Sequence, residues 1–517
     1  MAAISWASGT PGDWKTAADW RGGIEPGAAD DVTIDAAGTY AVTISVPEAA
    51  HSLTVNDAGS TIVDDAVLSL GSTLTLTAGT FQLNAGGVIK GGSLSATGGV
   101  FQWNGGTLNG VTYLGALDLS AAHSLLNVGA QGLTTNMIDL TGNGSELAFQ
   151  NTQTFKNNVF IDIGSRTGAS IVELDTTGAG ATLTLAPGTQ IIQTGRHAAI
   201  HSMGSASGDT IVNAGLIDAQ FGGGQFTIDP NVFTNTNLIE VENGDTLFLQ
   251  PRRFTNISGA TLTGGYYNIG AGSTLQLSDN LTIAALDAVV FLGGVGAALQ
   301  SLDTISGQEI TLESTLATIA AHGALNLGTQ GWSSTLAMTN TGSLSLSGGA
   351  FMAASLTNSG FLSGNGTIAA PLINSGVIDN ASLSLAGPAM FDVGSRLNHT
   401  TLSVANATVA GLRATGANLN DVGMIDQTGS MTLDARRGDA GLSIAKGATY
   451  EIDGDVGIAG LGNRSFSAVV NDAGILIKSA GAGVGVVTAR ITDTGLVEVA
   501  SGTLDVRLAV GGTGAMR

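Results

Sequence analysis

Short runs in which apolar and polar residues alternate one for one recur along most of this chain. Gly71-Ser-Thr-Leu-Thr-Leu, Gly180-Ala-Thr-Leu-Thr-Leu, Gly244-Asp-Thr-Leu-Phe-Leu and Gly272-Ser-Thr-Leu-Gln-Leu share one form, and Gly502-Thr-Leu-Asp-Val repeats it near the end. Alternation over four to six residues predicts half-buried β-strands. A second unit interleaves with the first: an Asn or Asp, a Gly two residues on, then two residues of which at least one is apolar. It is found as Asn213-Ala-Gly-Leu-Ile, Asn340-Thr-Gly-Ser-Leu, Asn358-Ser-Gly-Phe-Leu and Asn374-Ser-Gly-Val-Ile, with the variants Asp421-Val-Gly-Met-Ile and Asp493-Thr-Gly-Leu-Val. In Asn235-Thr-Asn-Leu-Ile the glycine place is held by Asn237. Asn is the non-glycine residue that best tolerates left-handed backbone angles. The unit is therefore expected to be a turn with positive φ that delivers the chain into a strand.

Where the second unit recurs closely its spacing is roughly 16 to 22 residues, the length of one solenoid coil. A coil this short cannot bury its own apolar face, but stacking on its neighbours can. The fold expected is all-β, a right-handed parallel β-helix of about 25 coils, forming a rod roughly 100 Å long or somewhat more. Leu, Val and Ile fill the interior in this reading, and aromatic rings are expected to be too bulky for most of it.

Composition agrees. Of 517 residues 77 are Gly, only 11% are charged and there is no Cys. Hydrophobic content of 43% is too high and charge too sparse for disorder, while abundant Gly, Thr, Ser, Asn, Val and Leu with few Lys, Glu or Arg favours short strands between turns over helices. A formal net charge of −22 removes the electrostatic basis for binding nucleic acid or anionic lipid. The absence of cysteine excludes a disulfide framework and leans towards a bacterial exported protein.

Two domains are expected. Residues 1–45 hold three of the five tryptophans, Trp6, Trp14 and Trp20, with Pro11 and Pro26. They are read as an N-terminal cap and first coil, covering strand edges that would otherwise polymerise, with Val32-Thr-Ile and Tyr40-Ala-Val-Thr-Ile as its strands. Residues 46–517 are read as a continuous β-helix, cut from something longer because Val510-Gly-Gly-Thr-Gly-Ala-Met-Arg517 stops in mid-pattern. No secretory signal is visible in residues 1–20. The longest apolar stretch, Leu281 to Leu299, contains Asp287 and three glycines, and reads as two strands around a turn rather than a membrane span.

The segments Thr492-Asp-Thr-Gly-Leu-Val-Glu-Val-Ala-Ser-Gly-Thr-Leu-Asp-Val and Phe254-Thr-Asn-Ile-Ser-Gly-Ala-Thr-Leu-Thr-Gly-Gly resemble repeats of bacterial exoproteins of the filamentous-haemagglutinin-like and autotransporter-passenger-like kind. The start of the chain, Gly12-Asp13-Trp14, Trp20, Gly22, Pro26, Asp31-Val-Thr-Ile-Asp35 and Tyr40-Ala-Val-Thr, is also similar to the start of such proteins. The resemblance covers most of the chain as a pattern and implies export, a β-helical shaft and a part in adhesion, biofilm or a surface layer.

Residues that could carry chemistry are few. Asp30-Asp31 and Asp64-Asp65 are the close acidic doublets, but neighbours in a strand face opposite ways and cannot converge on one glycosidic bond. They are expected to be solvated turn acids. A lyase-like site would need an arginine beside calcium-binding acids, which leaves the pairs Arg252-Arg253 and Arg436-Arg437, the second flanked by Asp434 and Asp439. His197 and His201 have the i, i+4 spacing of helical metal ligands but lack a third ligand, and are expected at the surface in a loop or coil turn. Gly208-Asp209 and Gly244-Asp245 read as turns rather than calcium repeats. No catalytic, cofactor or metal residue is assigned, and structural calcium is the one cofactor left open.

The reading favours a non-enzymatic surface scaffold or adhesin that contacts glycans, matrix or cell-surface ligands, with self-association open and no membrane span. Its rivals are a self-assembling surface-layer or filament subunit and a polysaccharide lyase or glycoside hydrolase built on the same fold.

Overall fold

A computed structural model describes residues 2–155, 158–175, 180–203, 208–508 and 510–517. The chain is nearly all β, 1% helical, and winds a parallel β-solenoid of about 22 turns. The count falls short of 25 because some coils are long: Ser170 Oγ donates to Gly142 O one coil away across 28 residues of sequence. Contacts divide the chain into two compact units, Met1–Asn256 with Gly265–Asp279, and Ile257–Gly264 with Asn280–Arg517.

Each unit is built the same way. Alternation in the sequence becomes alternation of burial, as in Tyr40–Ile44, where every second residue is buried. The four complete Thr-Leu-x-Leu segments are the strands Thr73–Leu76, Thr182–Leu185, Thr246–Leu249 and Thr274–Leu277. Parallel, in-register pairing then stacks like on like. In the first unit Leu117, Ile138, Ile161, Ile191, Ile217, Ile239 and Tyr267 form one inward column. In the second unit Leu325, Leu344, Leu362, Ile378 and Leu397 form another. All are buried.

Aromatic rings are not excluded from the interior, contrary to expectation. Phe81, Phe149, Phe226, Phe233, Phe351 and Phe391 are fully buried. For Phe81, Phe233 and Phe351 a ring one coil away supplies a partner, as where Trp332 lies over Phe351 at 6.2 Å with planes 6° apart. At the N-terminus Trp6, Trp14 and Trp20 are also buried, Trp20 meeting Trp6 at 4.8 Å and Trp14 at 5.0 Å, both edge to face. Ala3–Ser5 pairs in parallel with Asp31–Ile34, and Gly12–Asp13 with Tyr40–Ile44.

The Asn-x-Gly unit has a different basis from the one expected. None of Gly215, Gly342, Gly360, Gly376, Gly423 or Gly495 has positive φ, nor does Asn237. Positive φ belongs instead to turn glycines such as Gly244 and Gly272. What forbids a side chain is the coil beneath: a Cβ on Gly360 would lie 2.3 Å from Gly342 O, and one on Gly342 2.1 Å from Ala320 O. Asn237 occupies the same place by donating its Nδ2 to Gly215 O at 3.0 Å.

The Asn or Asp of the unit faces inward and ends its strand, except for Asp421, which lies inside the long strand Asn418–Asp434. Asp421 Oδ1 accepts from Gly423 N at 2.9 Å and Asp493 Oδ1 from Gly495 N at 2.8 Å, an Asx turn in each case. The asparagines also bond to one another across coils. Asn213 Nδ2 donates to Asn235 Oδ1, 22 residues on, and Asn340 Nδ2 to Asn358 Oδ1, 18 residues on.

Two hairpins interrupt the parallel pairing in the second unit. Ile257–Ser258 pairs antiparallel with part of Thr261–Ile269, and Ala298–Leu302 with Glu309–Thr311. The apolar stretch from Leu281 becomes Ala285–Leu292, a turn, and Ala298–Leu302, as expected. Among the described residues no helix is long and apolar enough to cross a membrane.

Candidate functional site

Coil stacking in the second unit places two outward columns side by side. Asp379, Asn398, Thr415 and Asp434 stand in register on consecutive coils. Arg396 and Arg413 pair in the adjoining column. The burial alternation of Ser395–Asn398 makes the outward turn of Arg396 obligatory, since Ser395 and Leu397 are inside. The next residues along, Asn380 within the strand Val377–Leu385 and His399 and Gly416 just past their strand ends, adopt positive φ of 47°, 47° and 55°. The turn after Asp434 brings Arg436 and Arg437 to the same place. Together these groups line a cleft of about 710 Å³.

Asp434 organises the floor. Arg436 Nε donates to its Oδ1 and Nη2 to its Oδ2, both at 2.8 Å, and Arg413 Nη2 also bonds Oδ2. The Arg436 guanidinium, aided by Arg413 and opposed by burial, holds the Asp434 carboxyl well below the usual carboxylate range. The same pairing raises the pKa of Arg436, so this guanidinium stays protonated and is unsuited to act as a lyase base. Asp379 Oδ1 lies 3.6 Å from His399 Nδ1. Among the described residues neither Arg396 nor Arg437 has a side-chain partner, and both are exposed. The cleft thus presents two pinned and two unpaired guanidiniums beside Asn398, Thr415, Asp379 and His399. This arrangement can grip an anionic group and hydrogen-bond neutral hydroxyls.

The other candidates do not assemble a site. Asp439, expected beside Arg436-Arg437, turns to the next coil, where its Oδ1 accepts from Ser467 N at 2.9 Å. Arg252 and Arg253 are exposed in the other unit. His197 and His201 lie on the strand His197–Met203, not in a loop or turn, and the half-buried His201 sits 3.5 Å from the buried Glu173. Asp31 Oδ1 accepts from Ser52 Oγ at 2.6 Å and lies 2.8 Å from His51 Nδ1, while Asp30 accepts from Ala2 N and Gly27 N.

Asp65, just past the strand end, is exposed, but Asp64 is not a solvated turn acid. It closes the strand Ser60–Asp64 at an inward position and is fully buried. Burial pushes its carboxyl up to about 8. Asp209 and Asp245 are likewise buried. Asp209 caps Ala181 N, and Asp245 caps Phe221 N and Thr246 N. Among the described residues no group of three or more His, Cys, Asp or Glu is arranged to hold a metal ion.

Sequence reasoning reached Asp434, Arg436 and Arg437 but missed Asp379, Arg396, His399 and Arg413. Nothing local marks them. The one available signal was spacing, because Arg396 and Arg413 lie about one coil length apart. Compared with known proteins, the chain matches no family model and no curated protein sequence.

Proposed function

We propose that this chain is a non-enzymatic extracellular scaffold of the bacterial surface, an adhesin-like or matrix protein that makes contact with glycans. The single observation carrying the reading is the in-register stacking of coils, which repeats outward polar positions at the inter-strand spacing of about 4.8 Å. Gln82 Nε2 to Gln102 Oε1 at 2.7 Å and Thr234 Oγ1 to Thr255 Oγ1 at 2.7 Å are two such outward pairs. A surface of this kind suits repeated weak contacts with a repeating polymer, and main-chain ladders hold it without disulfides. The resemblance of its repeats to exported haemagglutinin-like and autotransporter-passenger-like proteins supports the same reading. The test is binding of the full chain to an array of neutral and acidic glycans, together with antibody labelling of intact producing cells. Retention on glycans and labelling without permeabilisation are expected. Labelling only after permeabilisation overturns the extracellular role.

A second reading, a polysaccharide lyase, is favoured by one observation, the convergence of four arginines with His399 and Asp379 in a cleft. Incubation with polyuronates separates the two readings. Ultraviolet-absorbing unsaturated products establish the lyase, and their absence with retained binding supports the scaffold.

A further inference from the structure

We propose that the cleft of Arg396, Arg413, Arg436 and Arg437 binds an acidic sugar, its carboxylate or sulfate ester held by the guanidiniums and its hydroxyls by the neutral groups alongside. The inference rests on the glycan-contact reading above and names the ligand class of one site within it.

Three observations carry it. The chain has 18 basic residues against 40 acidic ones, yet four arginines line this one cleft. Such a concentration of like charge costs repulsion unless an anion offsets it, and Asp434 occupies only Arg413 and Arg436. Among the described residues no partner takes up the forked donors of Arg396 and Arg437, the geometry that matches a carboxylate or sulfate bidentately.

The remaining lining decides between anions. Asp379 and Asp434 would repel a densely charged phosphate backbone, as would the acidic remainder of the chain. A sugar acid carries its charge at one point and hydroxyls elsewhere. Asp379 can accept from those hydroxyls, and Asn398 and Thr415 can both donate and accept. Asp434 acts as a positioning residue that fixes Arg413 and Arg436 across two coils.

The experiment measures equilibrium binding of the full chain to oligogalacturonate, dextran sulfate, neutral dextran and oligo-dT. The parent is compared with the double variant Arg396→Gln/Arg437→Gln and with Arg252→Gln/Arg253→Gln, which removes the same charge from an exposed pair outside the cleft. The acidic glycans are expected to bind, and the cleft variant to weaken them roughly tenfold while the control leaves them unchanged. Whichever acidic polymer binds more tightly identifies carboxylate or sulfate. Because Arg396 and Arg437 hold no other side chain among the described residues and Arg252 and Arg253 are exposed, both double variants should melt with the parent. Should the first melt early, Arg437→Gln alone, on the turn after Asp434, carries the comparison. Equal losses in the two double variants overturn the site in favour of general charge attraction. Oligo-dT binding as tight as that of the acidic glycans overturns the sugar. Glycan binding that ignores the cleft variant overturns this inference and leaves the scaffold reading standing, whereas no glycan binding at all overturns both.

Discussion

Asn358 Nδ2 donates to Asn374 Oδ1 at 2.6 Å, linking two buried side chains on successive coils 16 residues apart. Asn358 also accepts from Asn340 Nδ2 at 2.7 Å, so it is the middle rung of an amide ladder inside the solenoid. An amide serves here because it donates and accepts at once, which lets identical residues bond to one another up the stack; only at the first rung, Asn340, does the Oδ1 find no partner among the described residues.

Replacing that rung tests the ladder. Asn358→Ala strands the Asn374 acceptor and breaks two buried bonds, and should cost about 2–3 kcal/mol in urea denaturation. Asn358→Asp keeps the acceptor but, when ionised, sets a carboxylate against Asn374 Oδ1. Its loss should be larger at neutral pH than in mild acid, where the protonated acid can donate. A loss independent of pH would show that the rung works by packing alone.

Gly360→Ala separates steric exclusion from backbone angle. A Cβ there meets Gly342 O at 2.3 Å although φ is not positive, so the coils must part, at a cost of about 3 kcal/mol. Gly447 is the opposite case, with φ of 89° and open space around a new Cβ. Gly447→Asn should cost about 1 kcal/mol or less, since Asn tolerates left-handed angles. Comparable melting temperatures for the two variants would refute the steric account.

Asp64 makes stability depend on pH. Burial raises its carboxyl to about 8, and its Oδ2 has no partner among the described residues. A raised folded-state pKa means that the folded chain holds the proton more tightly than the unfolded one. The contribution is fully present below about pH 4 and is lost progressively as pH rises through about 8, on the order of a few kcal/mol. Asp64→Asn should flatten this fall and make the variant more stable than the parent at pH 8. A variant whose denaturation midpoint tracks the parent from pH 5 to 8 would contradict it.

Lys478 is completely buried at a position flanked in register by Ile452 and Val499. Its Nζ donates to Ala480 O at 2.5 Å, Gly481 O at 3.1 Å and Asp455 Oδ1 at 3.2 Å. Lys478→Met keeps the volume and removes the charge, so its cost should come from the orphaned carbonyls alone, about 2 kcal/mol. Lys478→Glu places an anion against those carbonyls and should cost more than about 4 kcal/mol. The order of the two midpoints in guanidinium decides the matter.

Much of the fold was legible because each coil repeats the same local instruction. The alternation in Gly244-Asp-Thr-Leu-Phe-Leu maps directly onto Thr246–Leu249, and the recurrence of Asn-x-Gly marks the coil length. The reason for the glycine was not legible. Positive φ and a carbonyl 2.3 Å from an absent Cβ leave the same residue in a sequence, and only the neighbouring coil distinguishes them. The inward turn of Asp64 followed from strand alternation, but its strand end was read as a solvated turn. The cleft was half visible, because Asp434, Arg436 and Arg437 are adjacent in sequence whereas Arg396 and Arg413 reach them only through register.

The order of residues alone determined that this chain forms short half-buried strands that must stack to bury their Leu, Val and Ile, since periodicity is a local property. Stacking decided which residues from different coils become neighbours: Arg413 against Asp434, Asn358 against Asn374, Gly360 against the Gly342 carbonyl. Register between coils is a long-range quantity, fixed by the loop lengths and packing of the whole solenoid, and the chemistry of its surface follows from that register.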